Sequence, residues 1–302
     1  MRVSTNQYSQ MMSSSLNNNS LGLNKLMQQM ATGKRVLLPS DDPMAATRVM
    51  SLGRQQAAIG QYQSNIDAAD LALKSQETYL SNGVDVMHQI RDLMLWAGND
   101  TNGPDEREAI ASELEQLQDT LVSLINAKDE NGKYIFSGNE VNTKPLDKDA
   151  DGNWVYNGDD GIREVVIGDG VTVKLNVNAG DMFFNEDGSN LFDQLDELIT
   201  ELRDPNFSPA DSDLLESSIN MLDQALGNVT GEITNLGVRQ NTLTTMSDGH
   251  SEVELFNNHL IGQLEDLDYA DAMIEFNNYL LALQATQATY MKTANMSLFS
   301  MM

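Results

Sequence analysis

The chain has 302 residues, enough for one large domain or two ordinary ones. Its 45 acidic and 18 basic residues give a formal charge of −27, which excludes simple electrostatic binding to nucleic acid or to an anionic membrane. Cysteine is absent, which removes disulfides, thiolate metal sites and cysteine nucleophiles, and no apolar run of about 18 residues exists to span a bilayer.

The first 30 residues are rich in Ser, Asn and Gln, with one Arg near the start and no continuous apolar core of a Sec-type leader. The chain is therefore expected either in the cytoplasm or exported by a route that cleaves no leader. Met12, Leu16, Leu23, Met27 and Met30 nevertheless share one helical face, at spacings of four, seven, four and three. The pattern predicts a weak amphipathic helix, marginal alone and stable once its stripe is covered. Gly33-Lys34-Arg35-Val36 stops it. Ser40-Asp41-Asp42-Pro43 starts the next helix, a side-chain oxygen capping free N–H groups and Pro having no donor to lose. The paired aspartates read as a cap rather than a metal site, because no other ligand lies nearby in the sequence.

From Pro43 to Ala97 the spacing predicts one long helix. Leu52, Ile59, Ile66, Leu73, Leu80, Met87 and Met94 recur at intervals of seven, which holds one seam against a partner helix. A second, softer seam mixes Tyr62, Ala69, Val84 and Ile90 with Gln55, Gln76 and Gly83. At 1.5 Å per residue such a helix is about 80 Å long. A compact chain of this length is only about 50 Å across, so an elongated molecule is expected.

Gly103-Pro104-Asp105 opens a further helix with Ile110, Leu114, Leu117, Leu121 and Leu124 on its stripe. After Asn131 the glycines concentrate and the period changes to two. Val171, Val173, Leu175 and Val177 alternate with polar residues, and 164–167 forms the expected hairpin partner across Gly168-Asp169-Gly170. Within this β-rich insertion Asp147, Asp149, Asp151 and Gly152 match the opening of a calcium-binding EF-hand loop. Its twelfth position is Gly158 instead of Glu, and strands flank it, which favours an ordinary Asp-Gly turn over calcium. Helical pattern returns with Leu191, Leu195, Leu198 and Leu202. A second long helix, opened by Pro209-Ala210-Asp211, carries Leu215, Leu222, Val229, Leu236 and Leu243, again by seven. Near 246–250 the seam is expected to slip and continue through Met246, Val253, Leu260 and Leu267. Tyr269, Met273, Phe276, Leu280, Leu283, Tyr290 and Ala294 give the last stripe.

Charge and methionine are spread unevenly. Residues 1–48 carry +3 and 268–302 carry −2, so the middle holds −28, whereas 12 of the 17 methionines lie in 1–50 or 268–302. Near-neutral ends rich in polarizable Met suit packing against other chains, and an acidic middle suits a solvated exterior. Catalysis finds little support. His88, His250 and His259 have no neighbouring ligand pair, and neither a Gly-x-Ser-x-Gly elbow nor a phosphate-cradling loop is present.

Met1-Arg2-Val3-Ser4-Thr5, Ala31-Thr32-Gly33-Lys34-Arg35 and Ser40-Asp41-Asp42-Pro43 resemble the opening of the flagellin superfamily. Gly132-Lys133-Tyr134-Ile135-Phe136-Ser137-Gly138 and Leu236-Gly237-Val238-Arg239-Gln240-Asn241 are similar to segments of its hook–filament junction branch. The resemblance implies a mainly α fold: an elongated antiparallel helical rod with a small β-rich insertion and termini disordered in the monomer. It implies five segments: assembly segments at 1–42 and 268–302, rod halves at 43–138 and 191–267, and the outer insertion at 139–190. It implies a structural, non-enzymatic protein of the bacterial flagellum, without cofactor, exported through the flagellar type III channel. The implied partners are the first hook-associated protein, flagellin, an export chaperone at the carboxy-terminal region and further copies in a ring. Met12, Leu16, Leu23, Met27, Met30, Tyr269, Met273, Phe276, Leu280 and Leu283 would form the intersubunit contacts. A filament-forming flagellin is the alternative within the superfamily. A surface adhesin or glycan-acting enzyme on a coiled-coil stalk is the alternative outside it.

Overall fold

A computed structural model describes residues 2–185, 187–205, 207 and 213–299. Among them are seven helices and two small antiparallel hairpins. The order is α1 (Arg2–Thr32), α2 (Pro43–Ala97), α3 (Pro104–Ile125), β1 (Leu146–Lys148), β2 (Trp154–Tyr156), β3 (Glu164–Gly168), β4 (Val171–Lys174), α4 (Ala179–Phe183), α5 (Leu191–Leu202), α6 (Asp213–Glu265) and α7 (Tyr269–Phe299). The chain divides into two compact units. One comprises Met1–Ala58 with Ser251–Met302, and the other Ile59–His250.

The unit Ile59–His250 holds most of the buried apolar side chains. Ile59, Ile66, Leu73, Leu80, Met87 and Met94 of α2 are all buried, as the seven-residue period requires. The softer seam is buried here as well at Ala69, Gln76, Gly83 and Ile90. Gln76 is accommodated because its amide donates to a carbonyl outside its own helix, with Nε2 2.7 Å from the Leu175 oxygen. α6 runs antiparallel to α2, which brings Arg91 to Asp223 at 2.7 Å and Gln240 to Glu77 at 2.7 Å. α3 begins with Pro104 at its first position and buries Ile110, Ala111, Leu114, Gln118, Leu121 and Ile125. Leu117 and Leu124, expected on the stripe, are half-buried at its margin. The expected opening of α6 at 209–211 lies outside the described residues.

The insertion contains the expected hairpin, with β3 pairing β4. β4 is shorter than the alternation suggests, and Asn176 supplies the reason. Its side chain accepts from the Arg163 N–H and donates to the Gly161 oxygen, both at 2.7 Å, so it closes the strand end in place of main-chain pairing. A second hairpin, β1 with β2, surrounds the Asp-rich run. There the Asp149 carboxylate accepts from the Asp151 and Asn153 N–H groups at 2.9 Å, while Asp147 faces Lys144 at 3.0 Å. The run is a turn. Phe136, Leu146, Ile167, Met182 and Phe183 join Phe192, Leu195 and Leu198 of α5 in one apolar cluster. Trp154 ties β2 to α5, its indole N–H donating to Asp196 at 2.9 Å.

The unit Met1–Ala58 with Ser251–Met302 contains α1, the start of α2, the end of α6, and α7. Here the expected slip in the second seam is met only in part: Met246, Leu260 and Leu267 are half-buried, while Val253 is exposed. The original column of α6 also continues inward past Leu243, through half-buried His250, buried Asn257 and half-buried Leu264. An unbroken helix keeps turning at 3.6 residues regardless of which side chains it carries, so polar residues come to occupy inner positions. The ends, expected to be disordered in the lone chain, have helical form here as α1 and α7 and lie against each other. The carboxyl-ward stripe and the amino-ward stripe cover one another within one chain, which gives each a partner.

Candidate assembly surface

α1 ends at Gly33, whose φ of 71° is a left-handed conformation that glycine adopts without a Cβ penalty. The chain then meets the end of α6 in a compact joint. Lys34 and Asp266 form an antiparallel bridge, the Arg35 N–H donates to the Glu265 oxygen at 2.6 Å, and the Leu267 N–H donates to the Gly33 oxygen at 2.9 Å. The Lys34 ammonium lies 2.6 Å from the Glu265 carboxylate, and Arg35 reaches both Asp42 and the Leu264 oxygen at 3.0 Å. On the other side of the joint Asp41 accepts from Lys25 at 2.7 Å and from the Leu37 and Leu38 N–H groups. Asp42 caps α2 by accepting from the Ala45 N–H at 3.1 Å.

These contacts set the acidity of the two aspartates. The Lys25 ammonium, and after it the Leu38 N–H, hold Asp41 below the ordinary carboxylate range. For Asp42 the Ala45 N–H is the larger cause and Arg35 the next. Asp268 caps α7 in the same manner, accepting from the Ala270 N–H at 2.8 Å. Sequence reasoning placed the helix stop at Gly33-Lys34-Arg35-Val36 and a cap at a Ser or Asp before Pro43, which the structure assigns to Asp42. It missed the pairing of Lys34 and Arg35 with 264–267. The signal was available as a basic pair at one helix stop facing Glu265-Asp266 near another.

Beyond the joint, α7 is registered on α1 by two tyrosines. The Tyr269 hydroxyl donates to the Met30 oxygen at 2.9 Å. The Tyr279 ring lies so close over Gly22 that a Cβ there would sit 2.6 Å from it. Of the ten expected contact residues, Met12, Leu16, Leu23, Met30, Phe276, Leu280 and Leu283 are half-buried. Met27, Tyr269 and Met273 are exposed.

This unit buries little and exposes much. Its buried apolar side chains among the described residues are Leu26, Val36, Ala45, Leu52 and Ala272. Met11, Met44, Met50, Leu255, Phe256 and Ile274 are instead more than 60 % exposed. Seven basic and nine acidic residues fall in this unit, so it carries a formal −2 of the chain's −27. A near-neutral surface with large exposed apolar side chains makes this unit the candidate for a protein contact. The rest of the chain offers no rival constellation among the described residues. His250 donates from Nε2 to the Ile167 oxygen, 2.7 Å away, and stacks on Tyr62, while His259 pairs with Gln263 at 3.0 Å. No group of three His, Asp or Glu side chains among the described residues is placed to hold a metal ion. An open cleft beside β2 and α4 is lined by Trp154, Tyr156, Phe184, Asp160 and Asp181. Its Tyr156 hydroxyl is committed to the Phe136 oxygen at 3.1 Å, and burial, with nearby carboxylates, pushes its pKa upward.

Residues 3–141 match the bacterial flagellin N-terminal helical region. The flagellar hook-associated protein 3 of Salmonella typhimurium is 30% identical over 318 residues, covering 100% of this chain and 99% of the relative. That of Escherichia coli is 30% identical over 325 residues, with the same coverage. A structure described as a flagellar hook-associated protein of Vibrio parahaemolyticus superposes with a TM-score of 0.71 at 36% identity, over 75% of this chain and 100% of that one. The flagellar junction protein FlgL of Legionella pneumophila shares the fold, with a TM-score of 0.61 at 19% identity over 72% of this chain and 100% of its own. With full-length kinship joined to a helical fold and an exposed apolar unit at the chain's two ends, this chain belongs to the flagellar hook-associated protein 3 family.

Proposed function

We propose that the chain is a structural subunit of the hook–filament junction, joining the first hook-associated protein to flagellin and performing no catalysis. The observation that carries this reading is the unequal burial of the two units. Ile59–His250 has a closed apolar core, whereas Met1–Ala58 with Ser251–Met302 leaves large apolar side chains open. Burying apolar surface stabilises by about 25 cal/mol per Å², so neighbouring subunits gain most by covering that second unit. Met12, Leu16, Leu23, Met27, Met30, Tyr269, Met273, Phe276, Leu280 and Leu283 then form the contact with other subunits. The three exposed members meet neighbours directly, and the half-buried seven complete their burial on assembly.

α1 is rich in Ser and Asn, which compete for backbone hydrogen bonds and make weak helices. The α1–α7 pair is accordingly marginal in a free subunit and gains its order from neighbours. The same reading has the subunit leaving the cell through the flagellar type III channel. A chaperone covers the carboxy-terminal stripe beforehand, and copies join in a ring at the junction. A strain lacking this gene is expected to shed flagellin into the medium as unattached monomer. Filaments that stay attached in that strain would contradict the junction role. Long filaments grown from this purified chain alone would favour a flagellin-type role instead.

A further inference from the structure

We propose that Met11, Met27, Met44, Met50, Met273 and Met291 make the assembly surface sensitive to oxidation. A two-electron oxygen donor such as hydrogen peroxide converts them to sulfoxides and holds the free chain out of the junction, and methionine sulfoxide reductase restores it. All six belong to the same unit and all are exposed, Met44 at 84 % and Met11 at 67 %. Met87 and Met94 in the other unit are 0 % exposed, and Met182 is buried as well. The chain has no cysteine, so no thiol competes for the oxidant and thioethers are its principal soft nucleophiles.

Each thioether sulfur attacks one peroxide oxygen, the S–O bond forms as the O–O bond breaks, and the departing hydroxide takes a proton to leave as water. Sulfur loses two electrons and peroxide gains them. In the reverse step two reductase thiols become a disulfide, and the sulfoxide oxygen leaves as water. Thioether oxidation follows solvent access, so the six exposed sites react ahead of the buried three. A sulfoxide replaces an adaptable apolar side chain by a strongly polar one. Covering it with a neighbouring subunit strips its hydration without supplying a designed partner, which opposes assembly. Met87, Met94 and Met182 of Ile59–His250 are buried and Met221 and Met246 half-buried, so that unit offers the oxidant less thioether than the contact surface does.

The proposal rests on the reading of this unit as the assembly surface, and the test separates the two. Full-length chain, untreated or treated with hydrogen peroxide, is added with flagellin to flagella isolated from cells lacking this gene, and retained filaments are counted. Peptide mass spectrometry is expected to find added oxygen at the six exposed sites at peroxide doses that leave Met87, Met94 and Met182 unmodified. The oxidised chain is expected to retain at least tenfold fewer filaments, and reductase treatment to restore the count. A chain carrying M11L, M44L, M50L and M291L, which leaves Met27 and Met273 in place, is expected to lose a smaller fraction of its own untreated retention to peroxide than the natural sequence does. Reductase rescue of the natural sequence decides the same question without relying on that variant's folding. Equal retention by oxidised and untreated chain, or a loss that reductase does not reverse, would overturn the oxidation proposal alone. Failure of untreated chain to retain filaments would overturn the assembly reading beneath it.

Discussion

The close approach of Gly22 to Tyr279 makes single atoms decisive for how the two ends of the chain meet. A Cβ at position 22 would overlap the ring, and a branched side chain could be admitted only by displacing Tyr279. Gly22→Val is expected to destabilise the α1–α7 pair by about 1–3 kcal/mol, the usual range for overpacking. Adding Tyr279→Ala removes the clash, so a double-mutant cycle read by circular dichroism should show strong coupling between the two positions. Additive effects would place the ring elsewhere. The aspartates of the joint predict a pH response of defined sign. Asp41 and Asp42 both have folded-state pKa values lowered beneath the unfolded value. Their contribution is therefore present above about pH 4 and is lost as pH falls through the lowered folded values. Acid titration of the free chain is expected to loosen the joint in that window, and Asp41→Asn to flatten the response.

Among the elements, α6 best shows what periodicity can and cannot convey. Leu215, Leu222, Val229, Leu236 and Leu243 are apolar at every seventh place and all are buried, so this half of the helix is legible from spacing alone. Past His250 the apolar residues shift by three positions, and a slipped seam is the natural inference. The structure half-buries Met246, Leu260 and Leu267 of that seam but also keeps the original column and buries Asn257, whose Nδ2 has no hydrogen-bond partner among the described residues. Side-chain chemistry reports which face a residue prefers, whereas helix geometry decides which face it receives. The preference wins only when enough apolar area is at stake. Asn257→Leu is expected to raise stability by about 1–2 kcal/mol, because it removes an unpaired buried donor and adds apolar burial. Thermal unfolding reads this as a higher Tm, and a lower Tm would show that the amide has a role in the native packing. Other elements were legible for firmer reasons. Asp42, in the Ser40-Asp41-Asp42-Pro43 start, is a cap with its side-chain oxygen in the right place. The joint at 33–35 with 264–267 was not, because it depends on contacts more than two hundred residues apart and no local pattern records such a pairing. The candidate surface lay between these cases. Its stripes could be read by spacing, but which stripe residues are used within the chain and which are left open depends on how α1 and α7 meet.

In the molecule as a whole, the two compact units differ in kind. Ile59–His250 holds most of the buried apolar side chains, whereas the unit made from the two chain ends leaves many large apolar side chains exposed. Membership of the hook-associated protein 3 family is consistent with the proposed reading, in which other flagellar components cover the exposed unit. The most direct test is amide hydrogen exchange, followed in dilute free chain and again after incorporation at the junction. Strong protection is expected throughout Ile59–His250 in both states. Rapid exchange is expected at 16–30 and 273–283 in the free chain, changing to at least hundredfold slower exchange once assembled, the equivalent of about 2.7 kcal/mol. Protection at those end segments in the dilute free chain equal to that of Leu73 and Leu222 would contradict an assembly surface ordered by its neighbours.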